Sequence, residues 1–532
     1  MKNGKTYIIG VHSGHDSSAC LLIENKLEMA IAKERITRKK HDSGDPIQCI
    51  EYILKAKNLK KEDIDTVVRS NWFDSVELNN DYYTEFQDVK VSYEHHFFHA
   101  HAASCAAVNL PCIILIVDGR GCRPQDIKDN RFNFEKTEYP CFEVESVYYY
   151  DGQKMELLEK KFSKYYKNKF RWGSHIDSLG YAYSTISKII FRNSYAAGKV
   201  MALSSKGRFD NKIPFPFFYD EENFKVNEIW LEYIDKLNIS LNWKMKKAQN
   251  LAFSVQNALE EYLSFKLETL YKKYQINSFC IGGGVALNCK CNGLLANLAF
   301  VENVNVFNAS GDDGLSFGSA VWFYRNQDTK HKTIEWTYET GKTYSNRSSF
   351  PCEVVCIHEI VKHLTNDKIV GLFSGGSEFG PRALGNRSIL ASPLNNSMKK
   401  YLNLYVKGRE IFRPFGGSIL KRNLEKITMD NYVSPYMLSA FKIKDEWKVK
   451  IPALVHIDGT VRLHIIEDEN SLLGKIINDF ELLTGCPLLI NTSFNGKDEP
   501  IVETIEEAIF SAKKIGINIV VIEDRFIYLD SS

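Results

Sequence analysis

No run of about 18 consecutive apolar residues occurs in this chain, so the sequence predicts no membrane-spanning helix. The first apolar stretch, TYIIGVHSGHD, is broken by His, Ser and Asp. That predicts no secretory leader and a cytoplasmic protein. A charge excess is missing too: 68 Lys and Arg stand against 66 Asp and Glu, a net of +2. The balance excludes a global pull toward nucleic acid or an anionic membrane and leaves room for a local basic patch. Cysteine pairs at zinc-ribbon spacing are absent. The 12 cysteines are scattered, and Cys20, Cys105 and Cys280 sit in apolar runs, as reduced buried thiols do. Cys289 and Cys291 form a single C-x-C with no second pair to complete a zinc site. Low-complexity tracts and repeats of roughly 20–50 residues are missing, which excludes a solenoid.

What is present suits an α/β fold. The 532 residues, 44% apolar and 25% charged, suffice for two or three domains with ordinary cores. TYIIGV (6–11) reads as a strand, HSGHDSS as a polar turn, and ACLLIE (19–24) and KLEMAIAKE as two further strands. Strand, polar turn and strand is also how the phosphate-handling hairpin of actin-like and sugar-kinase-like ATPases begins. CIILIVDG (112–119) is a buried-type strand ending in Asp-Gly. SFCIGGGVALN (278–288) is a strand, a glycine turn and a helix start. Residues 248–274 recur at helical spacing. The polar stretch 326–352 reads as a connection. The expected domains are therefore 1–340 and 355–532.

Three constellations carry chemistry. His95 and His99, in HHFFHAHAAS, are four apart, which puts both imidazoles on one helix face. His96 points elsewhere, and Phe97 and Phe98 pack the helix against a core. Asp118 ends a strand, and Asp312 and Asp313 lie in SGDDGLSFGSA. Two His with one or two Asp suit iron, manganese or zinc rather than calcium. A helix with ordinary surface or core histidines is the competing reading. The second constellation, IGGGVALN, lets backbone N–H groups approach a phosphate or ribose, or is simply a tight turn; no GK[ST] follows it. The third is basic: Arg382 and Arg387 in PRALGNR, Lys407, Arg409 and Arg413 in KGREIFRPF, Arg462 in HIDGTVR, and the amides and hydroxyls of NTSFN from Asn491 to Asn495. Arginine forks set among Gly, Pro and Phe suit a polyanion such as a nucleotide or acyl phosphate.

These stretches also stand in a familiar order. GHDSSACLLIENKLEMAIAKERITRKKHD, HHFFHAHAAS, VDGRG, AGKVMALSSKG, GGGVALN, GDDGLSFGSA, FGPRALGNRSILASP, KGREIFRPF, HIDGTVR and NTSFNGKDEPIV run from about residue 6 to about residue 525. The sequence strongly resembles the O-carbamoyltransferases of the nodulation and tobramycin type. FGPRALGNRS and NTSFN are the specific motifs. The resemblance implies a duplicated actin-like ATPase-type N-terminal domain and a YrdC-like α+β C-terminal domain. It implies that carbamoyl phosphate and ATP are joined into carbamoyladenylate, whose carbamoyl group passes to an acceptor hydroxyl on a sugar, a natural product or a hydroxymethyl pyrimidine. Carried over, His95, His99, Asp118 and Asp312 hold a divalent metal, iron first, then manganese, magnesium or zinc. Gly282, Gly283, Gly284 and Asn288 hold the nucleotide. Arg382, Lys407, Arg409, Arg413, Arg462 and Asn491 line the C-terminal site. His15 and Asp16 do acid–base work on the acceptor, or merely form a polar turn.

The chain departs from that family in places. Cys122 stands where an acid usually follows DGxG, RPFGGS replaces RPFAPS, and His464 replaces a Gln. Position 122 is expected to touch the acceptor. KYYKNKFRWG (164–173) interleaves basic and aromatic residues, as single-stranded nucleic-acid binders do, although one face of a helix with snorkelling lysines reads better. Two rival functions follow: carbamoyl or threonylcarbamoyl transfer to a nucleic-acid base, and an inactive nucleotide-binding scaffold. A homodimer stays open as the state of assembly.

Overall fold

The strand β1 (Tyr7–Ser13) is buried at every residue, so it needs neighbours on both edges and cover on both faces. In the computed structural model β2 (Ser18–Ile23) lies antiparallel on one side, with β3 (Lys26–Ala32) beyond it. On the other side β4 (Thr66–Asn71) and β5 (Val89–Ser92) run parallel to it. The structure describes residues 4–71, 80–127, 140–221, 224–237, 241–327, 333–344, 353–354, 356–523 and 525–529.

A second sheet repeats the plan. Its fully buried strand β6 (Cys112–Val117) is antiparallel to β7 (Cys141–Tyr150), which pairs with β8 (Met155–Phe170) and, beyond it, β9 (Gly173–Ile176). A small hairpin, β10 (Phe217–Tyr219) and β11 (Phe224–Val226), stands apart. On its other edge β6 is parallel to β12 (Ser278–Gly282), with β13 (Asn303–Val306) outside. The order β8-β7-β6-β12-β13 thus matches β3-β2-β1-β4-β5 strand for strand. This is the duplicated actin-like α/β architecture.

Each half ends in a helix that returns to the centre. His95–Ser104 follows β5 and packs on β6 and β12, and Leu315–Arg325 follows β13 and packs on β1 and β2. The two helices also pack on each other. They come so close at Gly318 that a Cβ there would stand 2.0 Å from the Phe98 carbonyl oxygen. The histidine helix is therefore clamped between the two sheets.

The C-terminal residues form a nine-stranded mixed sheet in the order Glu353–Val354, Arg525–Tyr528, Ile519–Ile522, Val370–Phe373, Arg387–Ala391, Leu488–Ser493, Gly416–Leu420, Thr460–Ile466, Tyr436–Lys442. Helices Ile357–Thr365 and Leu472–Thr484 pack together beside it. Of the expected connection, residues 328–332 and 345–352 lie outside the described residues. Residues 333–344 lie along β3: Glu335 accepts from Leu27 N–H at 2.8 Å, and Thr340 N–H donates to Ser377 O at 3.1 Å. The strap therefore ties the first sheet to the C-terminal sheet. No described helix is long and apolar enough to cross a membrane.

KYYKNKFRWG is strand and turn, not helix. It forms the end of β8 and the turn into β9. Its aromatic faces are taken up internally, with Phe170 stacked on Trp172 at 4.6 Å and Tyr166 on His175 at 6.4 Å. Alternating basic and aromatic residues fit a half-buried strand as well as they fit a helix, so composition alone misassigned it.

Phe412 joins the halves. It comes from the C-terminal part, is 3% exposed and sits in the N-terminal core, 5.2 Å from Trp243 and 6.5 Å from Phe191. Phe412→Ala is expected to destabilise the chain by about 3–5 kcal/mol, read from chemical denaturation.

Candidate functional site

Four of the predicted residues meet. His95 and His99 project from one face of their helix, Asp118 from the end of β6, and Asp312 from the turn that opens Leu315–Arg325. His95 Nε2 lies 3.0 Å from Asp118 Oδ2, 3.6 Å from Asp312 Oδ1 and 3.2 Å from His99 Nε2. His99 Nε2 lies 3.5 Å from Asp312 Oδ1 and 3.8 Å from Asp118 Oδ2. One donor atom from each of the four lies within 4.8 Å of the others. Two imidazoles and two carboxylates converging on one point fit a borderline divalent cation. Burial works against charge on Asp312, but His15 and His95 outweigh it and hold its carboxyl well below the usual range. Of the adjacent acids, Asp313 takes no part in this group. Burial, reinforced by Asp16, Glu34 and Asp312, pushes its carboxyl up to about 8.

The polar turn extends the centre outward. His15 Nε2 is 3.1 Å from Asp312 Oδ2, and its Nδ1 is 2.9 Å from Asp16 Oδ2. Asp16 Oδ1 is 2.8 Å from His41 Nδ1, and His41 stacks on Tyr195 at 4.7 Å. A chain of hydrogen-bonding groups thus runs Asp312, His15, Asp16, His41. Burial opposes the imidazolium of His15, yet Asp312 and Asp16 raise it to about 9. His12 also faces Asp312, at 3.9 Å. Sequence reasoning missed His12, His41 and Tyr195. His12 stands in a strand, where a histidine reads as core, and His41 lies 25 residues from the acid it meets.

The glycine turn lies beside the Asp118 loop. Gly283 has φ of +84°, and a Cβ there would stand 2.4 Å from the Val117 carbonyl oxygen, so only glycine fits. Gly284 N–H points at Asp118 Oδ1, 3.3 Å away, and Gly282 ends β12. Asn288 is otherwise engaged. Its side chain caps helix Cys289–Leu295 through Cys291 N–H at 3.1 Å and exchanges hydrogen bonds with Gln256.

The C-terminal basic residues form a second cluster. Lys407 is 5% exposed, and its ammonium donates to Asn495 Oδ1 at 2.7 Å and to the Ser493 carbonyl, both from NTSFN. Arg409 donates to Asn403 at 2.7 Å and lies over the Phe415 ring. Asn491 donates to Ser418, which meets His464 at 3.1 Å. Arg382 Nε and Arg462 Nε are buried without a hydrogen-bond partner in the protein. Burial and then Arg462 lower Arg382 to about 10, and burial and then Arg413 lower Arg409 well below its usual value. Glu410 and Glu499 supply the opposing charge. Cations that depress one another in a shielded space suit a bound polyanion. Arg387 stands apart from them. It is fully buried, lies over Phe373 at 3.6 Å and donates to Ser374 O, which makes it part of the core.

One segment joins the two clusters. Arg38 donates to Ile501 O and Pro500 O at 2.7 and 2.8 Å, which fixes residues 38–41 against the C-terminal domain. Lys40 follows on that segment; burial lowers its ammonium, Glu34 and Asp498 oppose this, and the charges of Arg413 and Arg409 add to it. Its neighbour His41 faces Asp16. Cys122 does not reach this space. It is 2% exposed, and its thiol turns inward onto Glu143 at 3.0 Å, so the expectation of an acceptor contact there is corrected.

Comparison with known proteins gives matches along most of the chain. Residues 7–321 match the family model described as carbamoyltransferase N-terminus, and residues 361–528 match carbamoyltransferase C-terminus. The nodulation protein NolNO of Sinorhizobium fredii is 26% identical over 549 aligned residues, which cover 93% of this chain and 76% of that one. Nodulation protein U of Bradyrhizobium diazoefficiens is 31% identical over 327 residues, 56% of this chain and 57% of that one. An uncharacterised protein of Synechocystis is 26% identical, with 94% and 93% covered. Among solved structures, full-length HypF in its phosphate- and nucleotide-bound form aligns over 60% of this chain and 47% of its own, at 15% identity and a TM-score of 0.39.

Proposed function

Because this chain belongs to the carbamoyltransferase family, we propose that it is an ATP- and carbamoyl-phosphate-dependent O-carbamoyltransferase. One observation carries the reading: the segment whose His41 meets Asp16 of the His/Asp centre is bound through Arg38 to Pro500 and Ile501 of the C-terminal part, so one short stretch links that centre to the domain that holds the cation cluster. On this reading carbamoyl phosphate and water give carbamate and phosphate in the C-terminal cluster. Carbamate then displaces pyrophosphate from ATP to give carbamoyladenylate, with Arg382, Lys407, Arg409, Arg413 and Arg462 stabilising the charge on the phosphates. The adenylate moves to the His/Asp centre, where the acceptor hydroxyl attacks the carbamoyl carbon and AMP leaves.

His95, His99, Asp118 and Asp312 are the residues that would hold the divalent ion. When bound, such an ion polarises the carbamoyl or phosphate oxygen. Without an ion, Asp312 and Asp16 hold His15 as an imidazolium; with Asp312 engaged by a divalent ion that hold would weaken, and His15 would take the acceptor proton at Nε2 while Asp16 on its Nδ1 fixes the ring and the tautomer. The rigid placement of these groups between two sheets holds the hydroxyl and the carbamoyl carbon in line. Carbamate and the adenylate both hydrolyse, so this reading requires a passage between the sites that excludes water. The acceptor is a small-molecule hydroxyl, since the one stretch that suited a nucleic-acid strand spends its aromatic faces on its own packing. The enzyme works in the cytoplasm, where ATP is present and the free thiols stay reduced.

The test is to incubate the protein with ATP, radiolabelled carbamoyl phosphate and a divalent metal, without acceptor. Phosphate and pyrophosphate are expected together. Release of neither by folded, metal-loaded protein, even with a panel of hydroxyl acceptors added, overturns the reading in favour of a scaffold.

A further inference from the structure

Beneath the histidine helix lies a buried acid that the chemistry above does not use. Glu143 of β7 is 0% exposed, and its ion-pair partner Lys160 of β8 is 3% exposed. A buried pair of this kind adds little net stability, because desolvation offsets the attraction. Its surroundings indicate another role. The first N–H groups of a helix need acceptors, and the side chain of Glu94, at the N-cap of His95–Ser104, does not cap them. Glu143 Oε1 fills that gap by accepting from His96 N–H at 2.8 Å. An anion there also suits the helix dipole.

The same oxygen reaches a second element. It accepts from Cys122 N–H at 3.2 Å and from the Cys122 thiol at 3.0 Å. The loop it holds is fastened along β7: Asp118 N–H donates to Val144 O at 3.2 Å, Gly121 N–H to Glu143 O at 2.8 Å, and Glu143 N–H to Cys122 O at 2.9 Å. One carboxylate oxygen therefore ties the helix that bears His95 and His99 to the loop that bears Asp118.

We propose that Glu143, neutralised by Lys160, is a positioning residue for the metal centre. It fixes the separation of the two imidazoles from Asp118 and so sets the affinity for the divalent ion. The inference rests on the metal-centre reading above. It also accounts for Cys122. A thiol at this position leaves room for a carboxylate that arrives from the neighbouring strand.

The experiment is a titration of the full-length protein with Co²⁺, read from its ligand-field absorption band. Glu143→Met/Lys160→Met removes the clamp and leaves no unpaired buried charge. Glu143→Gln/Lys160→Met also removes the charges but keeps an oxygen that can accept from His96 N–H. The first is expected to bind Co²⁺ about 10–100-fold more weakly, with an altered band, the usual effect of losing an outer-shell partner. The second is expected to stay within a few fold of the parent. Folding of each is checked by its thermal transition and by pyrophosphate formation in the C-terminal cluster. Parent-like Co²⁺ binding by folded Glu143→Met/Lys160→Met overturns the proposal, as does an equal loss in both variants. A parent that binds no Co²⁺ overturns the metal centre itself, and the clamp with it.

Discussion

Asp312→Asn will abolish carbamoyl transfer while the chain still makes pyrophosphate from ATP and carbamoyl phosphate. Asparagine has the same shape, so the fold should hold. The carboxylate, however, serves two partners at once. Oδ1 faces the imidazoles of His95 and His99 at 3.6 and 3.5 Å, and Oδ2 faces His15 at 3.1 Å. Neutralising it removes an anion from the proposed metal centre and the carboxylate partner of the proposed base. A loss of at least about 10³-fold in AMP release with acceptor present is expected, because preorganised charge at a reacting centre is worth about 10²–10³ even singly. His15→Asn serves as the comparison. It should lose transfer but keep the metal. If Asp312→Asn loses pyrophosphate formation equally, the division into two sites is wrong.

Arg382→Met should do the opposite. Pyrophosphate formation is expected to fall by at least about 10²–10³-fold while the divalent metal stays bound. The stability change should carry an unusual sign. Arg382 Nε has no hydrogen-bond partner in the protein, and the charges of Arg462 and Arg413 press on it. Methionine keeps the apolar stem and removes the repulsion. Without ligand the variant should gain about 1 kcal/mol, or melt about 1 °C higher. With ATP it should lose the upward shift that a bound polyanion gives the parent. A variant that melts lower and still responds to ATP would show that Arg382 serves the fold rather than a ligand.

Much of this was legible in the sequence where local chemistry repeats a simple pattern. The β1–β2 hairpin follows from two apolar runs around a polar turn, and the centre follows from the i, i+4 spacing of His95 and His99. The glycine turn was legible because Gly283 alone tolerates its backbone. What stayed hidden depends on distance along the chain. Nothing in SGDDG tells Asp312, which turns toward the histidines, from Asp313, which does not. His41 and Glu143 act on residues 25 and 47 positions away, and only the pairing of strands reveals that. KYYKNKFRWG was misread because aromatic and basic residues alternate equally well on a strand. The duplication itself leaves no trace in residue identities that a short-period search detects; it is visible only in strand order.

The aromatic knob at Phe412 bears on how the chain can be divided. Cut away from the first 340 residues, the C-terminal sheet would present Phe412 and Leu438 to water, and the N-terminal core would keep the hole they fill. Each fragment would then bear a sticky apolar face at the same seam. The two halves are thus expected to behave as a single cooperative unit, to unfold in one transition and to survive expression only as one polypeptide or as two fragments produced together.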